Sequence, residues 1–245
     1  MNKMFSYCVL LAAAGILFLS SCKKDDTNNT TPTTYKCTTC VTTPDALAAN
    51  DGSGKGVYKG VVIGSSGTIK FSVLNGTNDI TATMVIDGIT VTLTSAITWV
   101  DGQSYVAPFT GTMNGQPVSI TFSVQADGST PVITSADIPG HPNAIFTLVK
   151  ETSNALVEAF EGTYSTTKPE TGTFNILLSR QLNKWGGNAR KDGTNEKSDV
   201  SGTLVNGELR DEDGRKMGNL ANDNISGSFQ DNNGATVTID GKRTL

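Results

Sequence analysis

Residues 80–86 and 89–94, two runs joined by Asp87-Gly88, constrain this chain more than any other stretch. In the first, Ile80, Ala82, Met84 and Ile86 alternate with Thr81, Thr83 and Val85. In the second, Ile89, Val91 and Leu93 alternate with Thr90, Thr92 and Thr94. A period of two puts the apolar side chains on one face of an extended strand, the mark of a half-buried β-sheet. Asp-Gly between two such runs predicts a tight hairpin, since both turn residues tolerate positive φ. Asn114-Gly115 repeats the device between residues 109–113 and 118–122.

The same idiom runs through the chain. Residues 57–63, 68–74, 131–136 and 144–149 read as further strands. Between Asn154 and Phe160 the alternation breaks, which predicts either one or two helical turns or an irregular crossover. Strands resume around Gly162-Thr163-Tyr164 and Gly172-Thr173-Phe174, then at 184–185, 200–205, 208–210, 225–230 and 235–239. Turn signals lie at Asp213-Gly214 and Asn233-Gly234. Some stretches echo one another: Gly162-Thr163-Tyr164 echoes Gly56-Val57-Tyr58, and Gly172-Thr173-Phe174 echoes Gly67-Thr68-Ile69. The stretch 201–207 echoes 110–115. The echo is that of a degenerate duplication, or of β-proteins reusing Gly-Thr and Asn-Gly by chance.

Many short strands with regular turns and no long helical pattern define an all-β protein of sandwich or small-barrel type. Two consecutive antiparallel β units are expected, at residues 55–150 and 151–245, with one larger barrel or sandwich as the alternative. The charges divide the same way. They are sparse from Gly56 to Val149, whereas all five arginines (Arg180, Arg190, Arg210, Arg215, Arg243) fall in the second part. A net charge of -4 argues against a nucleic-acid partner, which calls for a basic stripe.

At the N-terminus, Lys3 precedes an apolar run from Val9 to Leu19, followed by small residues: the layout of a secretory signal peptide. The run is too short to span a bilayer, which takes about 20 apolar residues. Leu19-Ser20-Ser21-Cys22 resembles the lipobox of bacterial lipoprotein precursors. The resemblance implies cleavage after residue 21, loss of Cys8 with the signal peptide, and acylation of Cys22 by palmitate-type chains as a membrane anchor. It also implies a cell-envelope location, as an outer-membrane lipoprotein facing the periplasm or the cell surface. Lys23-Lys24-Asp25-Asp26 is similar to the charged stretch of some surface-displayed lipoproteins, though a solvated tether explains it as well. Residues 22–54, rich in Thr, Asn, Pro and Asp, have almost no large apolar side chain. They read as a flexible tether with a short helical turn near Asp45, which would cap it.

Candidate chemistry is thin. Cys37 and Cys40 form a Cys-x-x-Cys, but without the βαβ context of a redox motif or the further ligands of a zinc site. Outside the cytoplasm they are candidates for a local disulfide, two free thiols or an intermolecular bridge. The sole histidine, His141, sits in a loop by composition. Gly52-Ser53-Gly54-Lys55-Gly56 lacks the upstream glycine and the Ser or Thr of a phosphate loop. The acidic turns at 211–214 and 192–196 do not match a calcium loop. Tyr58, Trp99, Tyr105, Tyr164 and Trp185 are candidates for an aromatic platform, with Trp99 and Trp185 the first suspects. No catalytic residue, metal or cofactor is assigned.

Three functions follow as expectations. The first is a non-enzymatic surface lipoprotein that binds a glycan, a peptide or a surface protein. The second is a lipocalin-like barrel holding a small ligand. The third is a hydrolase with two carboxylates facing each other across a cleft.

Overall fold

The structure is a computed structural model that describes residues 35–63 and 66–245. The expected lipobox Leu19-Ser20-Ser21-Cys22, Cys8 and the first part of the expected tether lie outside the described residues. The protein is all-β. Among the described residues the one helical piece is a 3-10 turn at Ala48–Asn50, preceded by Leu47 rather than by an Asp45 side-chain cap.

Two eight-stranded antiparallel sheets make up the molecule, and together they form one compact unit. The first holds β1 (Gly56–Ile63), β2 (Gly67–Val73), β3 (Ile80–Ile86), β4 (Ile89–Thr94), β5 (Tyr105–Met113), β6 (Gln116–Val124), β7 (Val132–Asp137) and β8 (Ile145–Glu151). Each strand pairs with the next through β7, and β8 closes back on β1, leaving β7 and β8 as edges that approach without pairing. The second holds β9 (Glu158–Thr166), β10 (Thr171–Ser179), β11 (Lys184–Lys191), β12 (Lys197–Val205), β13 (Glu208–Asp211), β14 (Lys216–Ala221), β15 (Asn224–Gln230) and β16 (Thr236–Arg243). Here β16 pairs with β9, and the barrel is closed.

The hairpins fall where the turn signals put them. Asp87 and Gly88 take φ of 48° and 77°, and Asn114 and Gly115 take 51° and 79°, the double positive φ of a type I′ turn. The stretch 154–157 is an irregular crossover, not a helix, with a lone bridge between Thr152 and Ala155. Strand β14 goes unseen in the sequence, because Lys-Met-Gly-Asn-Leu-Ala has little β propensity. Its Met217 and Leu220 nonetheless pack into the barrel core. The first two sequence echoes fall on equivalent strands, β1 with β9 and β2 with β10. The third joins the β5–β6 turn to the β12–β13 turn, one strand out of step.

Strand β1 is buried along its whole length. Tyr58 and Val62 face the core of their own sheet, while Val61 packs with Val157, Ala159 and Leu177 at the junction with the barrel. Lys59 and Glu151 are both fully buried there, with Nζ and Oε2 2.6 Å apart. The Glu151 carboxylate also accepts from the backbone N–H of Asp45 (2.7 Å) and of Val157 (2.9 Å), which satisfies it. The Thr147 hydroxyl donates to the Asn188 amide oxygen (2.6 Å), and the Asn175 amide donates to the Val62 carbonyl, tying sheet to barrel.

The segment 35–54, expected to be flexible tether, is instead fastened to both units. Lys150 donates to the carbonyls of Asn50 (2.7 Å), Asp51 (3.1 Å) and Ser53, so the loop wraps an ammonium group. Tyr35 donates to the Arg243 carbonyl (3.0 Å), and the Cys37 N–H donates to Asp223 (2.8 Å). Polar contacts replace the apolar side chains whose scarcity suggested a free tether.

Candidate functional site

The register of the barrel determines what lines its interior. Phe174 faces Gly162 on one side and Ala189 on the other, Ile176 faces Phe160 and Gly187, and Trp185 faces Leu178 and Gly202. Across the closing seam, Ile239 faces Tyr164 and Gly241 faces Gly162. Seven of the eight strands carry a glycine at an inward position: Gly162, Gly172, Gly187, Gly202, Gly218, Gly227 and Gly241. At Gly241 a side chain is crowded, because a Cβ there would stand 2.7 Å from Phe174 Cζ. The interior is therefore short of side-chain volume. A cavity of about 410 Å³ remains, lined by Phe174, Ile176, Trp185, Val200, Met217 and Ile239 among others. A cavity of that size suits one small, mainly apolar ligand.

The two ends of the barrel differ. At one end Glu158 and Arg243 meet in an ion pair (2.9 Å). Arg180 adds a second bond to Glu158 (2.7 Å), and Arg243 also donates to the carbonyls of Val41 and Leu245. This network plugs that end, and the Cys37–Cys40 segment lies beside it. The two cysteines are joined in a disulfide, with Cα atoms 5.4 Å apart. At the other end the rim of the cavity is polar: Tyr164, Glu170, Arg215, Asp231 and Asn232. Arg215 is held by Asp211 (Nε to Oδ2 3.0 Å) and by the Asn232 amide oxygen (3.1 Å). The Tyr164 hydroxyl lies 3.2 Å from Glu170, and burial together with that carboxylate pushes its pKa up to about 12.

The five aromatic candidates divide between the units, so the expected platform of Trp99 with Trp185 is not built. Trp99 packs half-buried against the first core beside Tyr105 (ring centroids 5.3 Å) and donates to Asp101 (3.0 Å). Trp185 is 8% exposed in the barrel wall, with its indole N–H donating to the carbonyls of Thr203 and Arg210 (both 3.1 Å). Tyr58 belongs to the first core, and its hydroxyl donates to the Gly54 carbonyl. Tyr164 and Trp185 both line the barrel cavity. The acidic turn at 211–214 is committed elsewhere: Asp211 clamps Arg215, and Glu212 accepts from Ser201 (2.6 Å). His141 lies 3.6 Å from Asp87.

A second concavity, about 580 Å³, opens between the loop Gly140-His141-Pro142-Asn143 and the outer wall of the barrel. Sequence reading placed Gly162, Gly172, Gly202 and Gly227 within strands but drew nothing from the face they occupy. The available signal was a glycine inside an alternating run, as in Ile225-Ser226-Gly227-Ser228-Phe229. Comparison with protein-family models, with curated proteins and with solved structures finds no match. Function must be argued from this geometry alone.

Proposed function

We propose that the protein is a non-enzymatic binding lipoprotein of the cell envelope whose closed barrel takes up one small, mainly apolar ligand. The observation that carries this reading is the cavity of about 410 Å³, walled by Phe174, Ile176, Trp185, Val200, Met217 and Ile239. An eight-stranded barrel has an interior just wide enough to be filled by side chains or to hold one small ligand, and inward glycines favour the second outcome. The polar rim at Tyr164, Glu170, Asn232 and Arg215 offers hydrogen bonds to a polar end of the ligand, while the opposite end is plugged.

Titration with small apolar fluorescent probes and medium-chain fatty alcohols tests the reading, with Trp185 emission as readout in a Trp99→Phe background. Saturable one-to-one binding is expected, and it should vanish in Ala189→Trp, which fills the cavity. Binding that is absent, non-saturable or unchanged in the filled variant would overturn the reading. The anchor is tested separately: a palmitate analogue should label the wild type and not Cys22→Ser. Equal labelling of both would remove Cys22 as the acyl site. More than one buried acyl chain, at about 0.8 kcal/mol per CH₂, would make the anchorage stable.

A further inference from the structure

The cleft of about 580 Å³ is walled on one side by outward-facing residues of the barrel, among them Glu161, Thr163, Thr173, Asn175 and Arg190. On the other side stands the loop with His141 and Asn143. Arg190 is 8% exposed. Its guanidinium donates to the Asn143 carbonyl (2.9 Å), and its Nε, fully buried, has no hydrogen-bond partner. Among the described residues no carboxylate pairs with it. Burying a cation is costly unless an opposite charge and hydrogen bonds compensate, so an arginine in this position is incomplete by itself.

The other charges around the cleft already have partners. Lys191 pairs with Glu170 (3.2 Å), Asp192 accepts from the Thr171 hydroxyl (2.6 Å), and His141 faces Asp87 (3.6 Å). Glu161 accepts from Thr244 (3.3 Å). With Lys191 paired, Arg190 is a cation of the cleft without a carboxylate partner among the described residues, and its planar fork suits a carboxylate. The remaining wall is hydroxyl and amide, from Thr163, Thr173 and Asn195, with no large aliphatic face.

We infer that this cleft is a second ligand site, independent of the barrel cavity, for a small carboxylate that carries hydroxyl groups: an acidic sugar, with Arg190 holding the carboxylate. The hydroxyls of such a ligand match the threonine and asparagine wall, and its charge supplies what Arg190 lacks. A neutral sugar leaves the arginine as it is, and a bare anion leaves the wall unused.

Calorimetric titration of the full-length protein in detergent with glucuronate, glucose, acetate and phosphate tests the proposal. Saturable binding of glucuronate is expected, at least tenfold tighter than that of the other three. Arg190→Gln should abolish it and Arg190→Lys weaken it about tenfold or more, because the ammonium loses the fork. If circular dichroism shows Arg190→Gln unfolded, Thr173→Trp, at an exposed cleft position, takes its place and must abolish binding. Glucose binding as tightly as glucuronate overturns the proposal. So does acetate or phosphate doing so, which would mark a bare anion site, and so does binding that survives the cleft variant. Ala189→Trp should leave glucuronate binding intact, so failure of this site and failure of the barrel reading are told apart.

Discussion

The two β units follow the same plan, eight antiparallel strands in a meander, yet they reach opposite interiors. In the first, Phe122 stacks on Phe71 (4.4 Å), with Phe109 at 6.0 Å and Tyr58 at 5.2 Å. Four aromatic rings fill the middle, and the sheet stays unpaired between β7 and β8. In the second, inward glycines replace bulk, the seam between β16 and β9 closes over eight strands, and a cavity remains. A glycine within a strand permits close backbone approach and sharp bending, which is what closure of a narrow barrel demands. Bulk inside favours solidity, whereas its absence allows closure and leaves room for a ligand.

The largest test of that contrast is truncation of the two central rings. Phe122→Ala should cost about 3–5 kcal/mol, since a fully packed ring leaves a new void. Phe174→Ala, whose ring already borders the cavity, should cost roughly half as much, about 2 kcal/mol on the same scale. Urea midpoints for both variants decide the matter, and equal losses would mean that the barrel is as solid as the sheet. The reverse experiment adds volume. Ala107→Trp, at a fully buried inward position of β5, should lose about 3 kcal/mol, while Ala189→Trp should stay within about 1 kcal/mol of the wild type because its ring has space to occupy.

A smaller effect isolates the interior glycines. Gly241→Ala brings a Cβ to 2.7 Å from Phe174 and 3.0 Å from the Glu161 carbonyl, and should lose about 1–2 kcal/mol through overpacking. Gly186→Ala, on the same barrel but facing outward with its nearest neighbour at 3.5 Å, should be close to neutral. Thermal unfolding of the pair separates an inward from an outward glycine, and equal losses would remove the steric argument.

The smallest effect is read by pH. Tyr164 at the barrel mouth holds its proton up to about pH 12, first through burial and then through Glu170. Its folded pKa lies above the ordinary tyrosine value of about 10. Its contribution to stability is therefore complete below that value and is lost as pH rises through about 12. Phenolate absorbance should show one late step that Tyr164→Phe removes. An apolar ligand seated in the mouth should delay that step further, and a step at the ordinary value would place Tyr164 in open water.

Much of this was legible residue by residue. The alternation in 80–94 and the Asp-Gly and Asn-Gly pairs marked strands and hairpins because these signals are local: side-chain direction has a period of two, and positive φ selects glycine and asparagine. Strand β14 escaped because its pairing partners, not its composition, hold it in place. The segment 35–54 looked free because its attachments are polar contacts to residues distant along the chain, such as Asp51 to Ser153 and Tyr35 to Arg243. No pattern within the segment encodes them. The same holds for Trp99 and Trp185, which are placed in different cores.

By itself, the sequence determined an all-β chain in two parts, the positions of most strands and turns, and a lipobox-like N-terminus from which a cell-envelope location is proposed. Tertiary structure alone decided that one meander closes and the other does not, that Tyr164 and Trp185 share a cavity, and that Arg190 is buried opposite Asn143 without an acidic partner. The reason is physical. Strand formation depends on neighbours one and two residues away, whereas closure, voids and unpaired charges depend on which strands meet across the fold.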